Sequence, residues 1–167
     1  MGYELRCGLE GGNMSSQLEE ILSQKKHNLD ENAKEWEQKR SAWVNRINNL
    51  MKTIKEWLEP LEKKQYVRVD FSEIVITEQL LGTYKAPCMT IYFFNGDTIE
   101  LVPKGLHIIS GNGRVDLKLG FREIMIIGQD GEEEWIFAER NGPGKSRQFQ
   151  FNKDNFEKIL QEYLEAA

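Results

Sequence analysis

Trp57-Leu58-Glu59-Pro60-Leu61-Glu62-Lys63-Lys64-Gln65-Tyr66-Val67-Arg68-Val69-Asp70-Phe71 is where the chain changes its period. Before it, apolar residues return every seven positions. After Tyr66 they alternate, one apolar and one polar. The first pattern belongs to an amphipathic helix and the second to strands with one buried face. Pro60 stands at the change. Proline removes a backbone donor and disfavours helix at the residue before it, so a helix is expected to end or kink near Glu59.

Reading back from this point, Leu22, Leu29, Trp36, Trp43, Leu50 and Trp57 occupy one heptad position without a miss. The companion position holds Glu19, Lys26, Ala33, Arg40, Ile47, Ile54 and Leu61. From Trp43 to Leu61 both rows are apolar. From Glu19 to Arg40 only one is. A heptad sustained this long predicts a coiled-coil-like helix. Ser16-Gln17-Leu18-Glu19 reads as a capping box that opens it. A helix from there to Glu59 has ~43 residues and is ~65 Å long at 1.5 Å per residue. The expected division is a flexible leader over residues 1–14, a helix over 15–63 and a β-rich domain over 64–167.

The leader reads differently from the rest. Its glycines Gly2, Gly8, Gly11 and Gly12 argue against a helix. Glu10-Gly11-Gly12-Asn13-Met14 can be encoded as GAG GGA GGT AAC ATG, which sets GGAGG before an ATG. Two readings follow: a translation start at Met14 in a bacterial or phage gene, or a start at Met1 with residues 1–13 an ordinary flexible tail.

Reading forward, strands are expected at 66–71, 74–79, 89–94, 98–102, 106–109, 114–119, 123–127, 134–139 and 147–151; the first two can be one bent strand. Leu81-Gly82-Thr83, Asn95-Gly96, Lys104-Gly105, Gly111-Asn112-Gly113, Asp130-Gly131 and Asn141-Gly142-Pro143-Gly144 punctuate them. Such short connections imply antiparallel neighbours. Asp154-x-x-Glu157 opens a last helix, whose Phe156, Ile159, Leu160, Tyr163 and Leu164 form one stripe. The fold class is α+β: a long helix, then an antiparallel barrel or strongly twisted sheet closed by a C-terminal helix. In order of elements this resembles a pleckstrin-homology-like barrel, although no motif of that family is present. A twisted sheet with a helix on one face is the competing layout.

Composition narrows the function. With 40% apolar and 29% charged residues, the chain is globular rather than disordered. The net charge of −5 divides into −1 over residues 1–13, 0 over 14–63 and −4 over 64–167. No region is basic enough to track nucleic acid or an anionic membrane. No apolar run approaches the ~20 residues of a membrane span, and the start lacks the apolar stretch of a signal peptide. Cys7 and Cys88 match no metal spacing and are too few for a disulfide scaffold, so a cytoplasmic setting is expected.

Motifs for chemistry are sparse. Gly142-Pro143-Gly144-Lys145-Ser146 resembles the end of a phosphate-binding loop. But Glu139 stands where the first glycine belongs, and a strand-like run follows instead of a helix. Arg114 and Asp116 share a strand face and are expected to form an exposed ion pair. His27 and His107 are the only histidines. A Cys88–His107 dyad lacks an orienting third group. The acids Glu132-Glu133-Glu134 read as a solvated loop. No cofactor, metal or catalytic residue is assigned.

The leading expectation is therefore a non-catalytic interaction or oligomerisation module. A domain of ~104 residues has a diameter near ~33 Å, too small to cover a ~65 Å helix. Leu22, Leu29, Trp36 and Trp43 are the expected partner-binding residues, for another protein or a second copy. The alternative is a β domain that binds a peptide, a lipid headgroup or another anionic ligand; more remote is an enzyme whose site, assembled from scattered residues, no motif marks. Its expected rim is Arg114, Asp116, Lys145 and Arg147, joined by Lys104 where the loops cluster.

Overall fold

The computed structural model describes residues 2–108, 111–130 and 134–166; for residues 2–14, 108 and 111 it describes the backbone alone. Two compact units make up the chain, Met1–Lys39 and Arg40–Ala167. Helix α1 spans Gly2–Lys63. It begins well before Ser16, so Ser16 caps nothing and the expected leader of residues 1–14 is helical from Gly2. Elongating an existing helix is far easier than nucleating one, and this outweighs the low propensity of four scattered glycines.

Nor does Pro60 end α1. Its missing donor falls in the last turns, where the helix closes at Lys63. The stop is made instead by Gln65, at φ 62°. Tyr66 N–H donates to Leu61 O (3.0 Å) and Gln65 N–H to Glu62 O (2.9 Å), the paired bonds of a Schellman cap.

Seven strands follow: β1 Val67–Glu78, β2 Gly82–Phe93, β3 Thr98–Ile108, β4 Gly111–Leu119, β5 Arg122–Gly128, β6 Trp135–Arg140 and β7 Ser146–Gln150. They pair in sequence order, every pair antiparallel. The sheet is not closed into a barrel, because β1 and β7 are its two edges. The open sheet therefore replaces the barrel, and the expected pleckstrin-homology-like layout is not confirmed.

Lys104-Gly105, expected as a turn, is a bulge inside β3, with the register shifting between Pro103 and Gly105. Both prolines of the sheet are in register on one side only, Pro87 with Glu73 of β1 and Pro103 with Val115 of β4. Pro103 lies at the bulge, and Pro87 lies in β2 before its pairing with β3 begins at Met89. Gly120, at φ 62°, opens the two-residue turn between Leu119 and Arg122, as a type II′ hairpin requires.

One sheet face carries the core. Val115, Ile126, Phe137 and Phe149 stand in a row across β4 to β7, beside Leu101, Leu117 and Ile124. Against this face lies the buried stripe of α1: Trp43, Ile47, Leu50, Met51, Ile54 and Leu58. The stripe is broader than a two-row seam, as a helix packed on a sheet requires. In β2 the buried set changes phase, from Tyr84, Ala86 and Cys88 to Met89, Ile91 and Phe93. Helix α2 (Lys153–Ala166) buries Phe156, Ile159 and Leu160. Its cap is Asn152, whose Oδ1 accepts from Asn155 N–H at 2.8 Å, two residues before the expected Asp154. Trp57 of α1 joins it to the sheet, with its ring 5.0 Å from Phe151 and 5.6 Å from Phe156.

Candidate functional site

The four residues expected to meet a partner divide at Lys39. Trp43 belongs to the core of the second unit and is 1% exposed. Its Nε1–H donates to Tyr84 Oη at 3.0 Å, and its ring packs 6.1 Å from Trp135. It is therefore removed from the partner-binding set: the β domain itself fills the position it was expected to offer. The seam from Trp43 to Leu61 is the part of α1 that the domain uses.

In the first unit the opposite holds. Leu18, Ile21, Leu22 and Leu29 are 57%, 55%, 56% and 70% exposed. Trp36 is half-buried beneath Lys39, whose Nζ stands 4.6 Å from its ring centre. At 100° per residue, Leu18, Leu22, Leu29 and Trp36 fall within an arc of about 40°. Lys25 and Asn32 lie beside them, so the row runs Leu18, Leu22, Lys25, Leu29, Asn32, Trp36 with alternating steps of four and three. That is heptad spacing, with polar residues at two seam positions. Isolated polar seam residues fix register and partner choice in helix pairs at a cost in stability. Leu18 supplies the second apolar row, on the side away from Glu19 and Lys26.

The expected ligand rim does not assemble. Arg114 stands in register with Ile127, Ile136 and, on β7, Gln150. Arg147 is three residues from Gln150, which places it on the other sheet face and ~10 Å along the strand. Arg114 is engaged in any case. Its Nε and Nη2 donate to Asp116 at 2.6 and 3.0 Å, and Nη2 also reaches Glu123 at 3.2 Å. The hydrogen bond to Asp116 holds the guanidinium above its ordinary pKa. Asp116 is 0% exposed, so the pair predicted to be exposed is half interior. Lys104 Nζ lies 4.0 Å from the same carboxylate. Lys145 sits apart, in the β6–β7 loop.

Two polar networks escaped the sequence. Glu78 accepts from Tyr84 O–H (2.5 Å) and from the backbone N–H groups of Leu106 and His107 (3.0 Å each), tying the β1–β2 hairpin to β3. Burial, reinforced by Glu78, pushes the Tyr84 phenol up. Arg122 donates to Glu139 at 2.7 and 3.1 Å and to Glu162 of α2 at 2.9 Å, clamping β5, β6 and α2 together. No sequence spacing signals either one, since the partners lie up to 40 residues apart.

In both networks each charged group is turned onto a partner within the fold. Burial pushes the Cys88 thiol up, away from nucleophilic use. Glu132 and Glu133 lie outside the described residues; among those described, no cluster of His, Cys, Asp and Glu has a metal-holding arrangement. No described helix is long and apolar enough to cross a membrane. No protein-family model, curated protein or solved structure matches the chain.

Proposed function

We propose that the protein is a non-catalytic interaction module that presents residues 15–39 of α1 to another helix, from a partner protein or a second copy. One observation carries this reading: Leu18, Leu22 and Leu29 share one helix face and are each more than half exposed. Burying a leucine gains roughly 1.5–3 kcal/mol. With Ile21, four such side chains supply about 6–12 kcal/mol against an association cost of about 4–15 kcal/mol. The face thus suits a reversible contact whose register Lys25 and Asn32 help to set. A cytoplasmic setting goes with it, since Cys88 is a free thiol.

The test is the double substitution Leu29→Ala with Trp36→Ala in the full chain. Light scattering is expected to show a lower mass than wild type, or affinity capture to lose a partner helix. Circular dichroism should show the β domain still folded. Unchanged mass together with unchanged capture refutes the reading.

A further inference from the structure

The arginines divide into two groups. Arg40 donates to Leu81 O at 3.1 Å and Arg46 to Asn112 O at 2.9 Å. Arg68, Arg114 and Arg122 each hold a carboxylate. Among the described residues, only Arg140 and Arg147 donate to neither, and they flank a single hairpin, β6–β7. Lys145 lies between them, and its ammonium likewise forms no ion pair with a described residue. Residues 140–147 read Arg-Asn-Gly-Pro-Gly-Lys-Ser-Arg, three cations and no acid, in a chain of net charge −5. The nearest acid in sequence, Glu139, is occupied by Arg122.

This hairpin tip is concave. Arg140, Gly142, Pro143, Gly144, Lys145 and Ser146 line a hollow of about 390 Å³. Gly142 and Gly144 have φ 113° and 73°, and no atom lies within 4 Å of where a β-carbon would stand on either. The glycines therefore serve the backbone path and leave the approach to the loop open. Behind the loop runs strand β7 and not a helix, so the geometry of a nucleotide-binding loop is absent.

What remains is a guanidinium fork, an ammonium, the Ser146 hydroxyl and a turn backbone around one hollow. We propose that the β6–β7 tip binds a phosphate group, using Arg140 and Lys145 as its cationic arms. A guanidinium and an ammonium at one mouth favour a compact anion with several acceptor oxygens. The loop backbone offers less, because Pro143 has no N–H and the Lys145 N–H donates to Gly142 O at 3.3 Å. Arg147 lies on the other face of β7, over the Phe149 ring at 5.2 Å. It adds to the local field rather than to the contact.

Phosphate of this kind is carried by free phosphate compounds and by lipid headgroups, and two arms separate them. In the first, pyrophosphate is titrated into the ¹⁵N-labelled full chain. Saturable shifts are expected at Gly142, Gly144, Lys145 and Ser146, weakened at least ~10-fold in Arg140→Ala/Lys145→Ala, as loss of two charge-assisted bonds requires. In the second, sedimentation with phosphatidylcholine vesicles containing a phosphoinositide is compared with phosphatidylcholine alone. Retention that the double variant loses assigns the headgroup; pyrophosphate shifts without retention assign a free compound. Neither shifts nor retention, or binding that persists unchanged in the double variant, overturns the proposal. Both substitutions are at exposed positions, and an unchanged circular dichroism spectrum checks the fold.

Discussion

The six-membered ring of Trp43 lies directly against Gly113, closing over the space that a β-carbon on that residue would occupy. A helix residue and a strand glycine, 70 positions apart, thus fix the distance between α1 and the sheet. Gly113 also has φ 102°, a conformation that L residues rarely adopt.

Gly113→Ala is therefore expected to destabilise the β domain by about 3 kcal/mol or more, from overpacking and backbone strain together. Gly142→Ala carries a similar φ, 113°, but meets open space. It should cost only about 1 kcal/mol. Urea denaturation of the two variants measures the difference; equal losses would show that the Trp43 contact contributes nothing.

Asp116 has no exposed surface and Arg114 is its main counterion. Removing one member of a buried pair strands the other, at a typical cost of 3–5 kcal/mol, whereas removing both is far milder. Arg114→Ala should thus cost about 3 kcal/mol, and Asp116→Ala added to it should recover part of that loss. A double-mutant cycle gives the coupling, expected at about 2 kcal/mol. A coupling near zero would mean that Lys104 alone satisfies the carboxylate.

Alkaline pH should weaken the fold through Tyr84. The unfolded phenol ionises near its ordinary value of 10.0, while burial and Glu78 keep the folded phenol protonated to higher pH. Above pH 10 the folded state binds the extra proton, so stability falls as pH rises, by about 1.4 kcal/mol per unit for this group. The loss should be shallower in Tyr84→Phe, measured as the denaturation midpoint from pH 8 to 11.

The Cys88 thiol is buried, and its burial raises its pKa. In a Cys7→Ala background, a disulfide reagent should modify the native protein at least ~100-fold more slowly than the urea-unfolded chain, because only an exposed thiolate reacts. Native and unfolded rates of similar size would place the thiol at the surface.

Much of this architecture was legible in the sequence, for local reasons. Alternation marked part of every strand but missed residues 82–88 of β2, where the buried set Tyr84, Ala86 and Cys88 is out of phase with Met89, Ile91 and Phe93. Heptad spacing marked α1 because its stripe is continuous. What was not legible depended on pairing. Gly105 and Gly96 both have positive φ, at 157° and 94°. One makes a bulge and the other a turn, and glycine suits both. Gly113 looked like a turn residue, because the reason for it, Trp43, lies far away in sequence. Arg114 and Arg147 seemed able to share a rim until the register placed them on opposite faces. Trp36 and Trp43 occupy the same heptad position, and only burial separates the half-buried Trp36 from Trp43, which the core has taken.

The strands pair in the order in which they occur, so the sheet is built from hairpins alone. Loop closure between sequence neighbours is entropically cheap, and rates of folding rise as contacts become more local. The long closures belong to the helices instead: Trp43 to Tyr84 spans 41 residues, Arg46 to Asn112 spans 66 and Thr98 to Tyr163 spans 65. Seating the helices on the sheet is then expected to limit folding, and stopped-flow refolding should show a substitution at Trp43 slowing folding more than one at a hairpin turn.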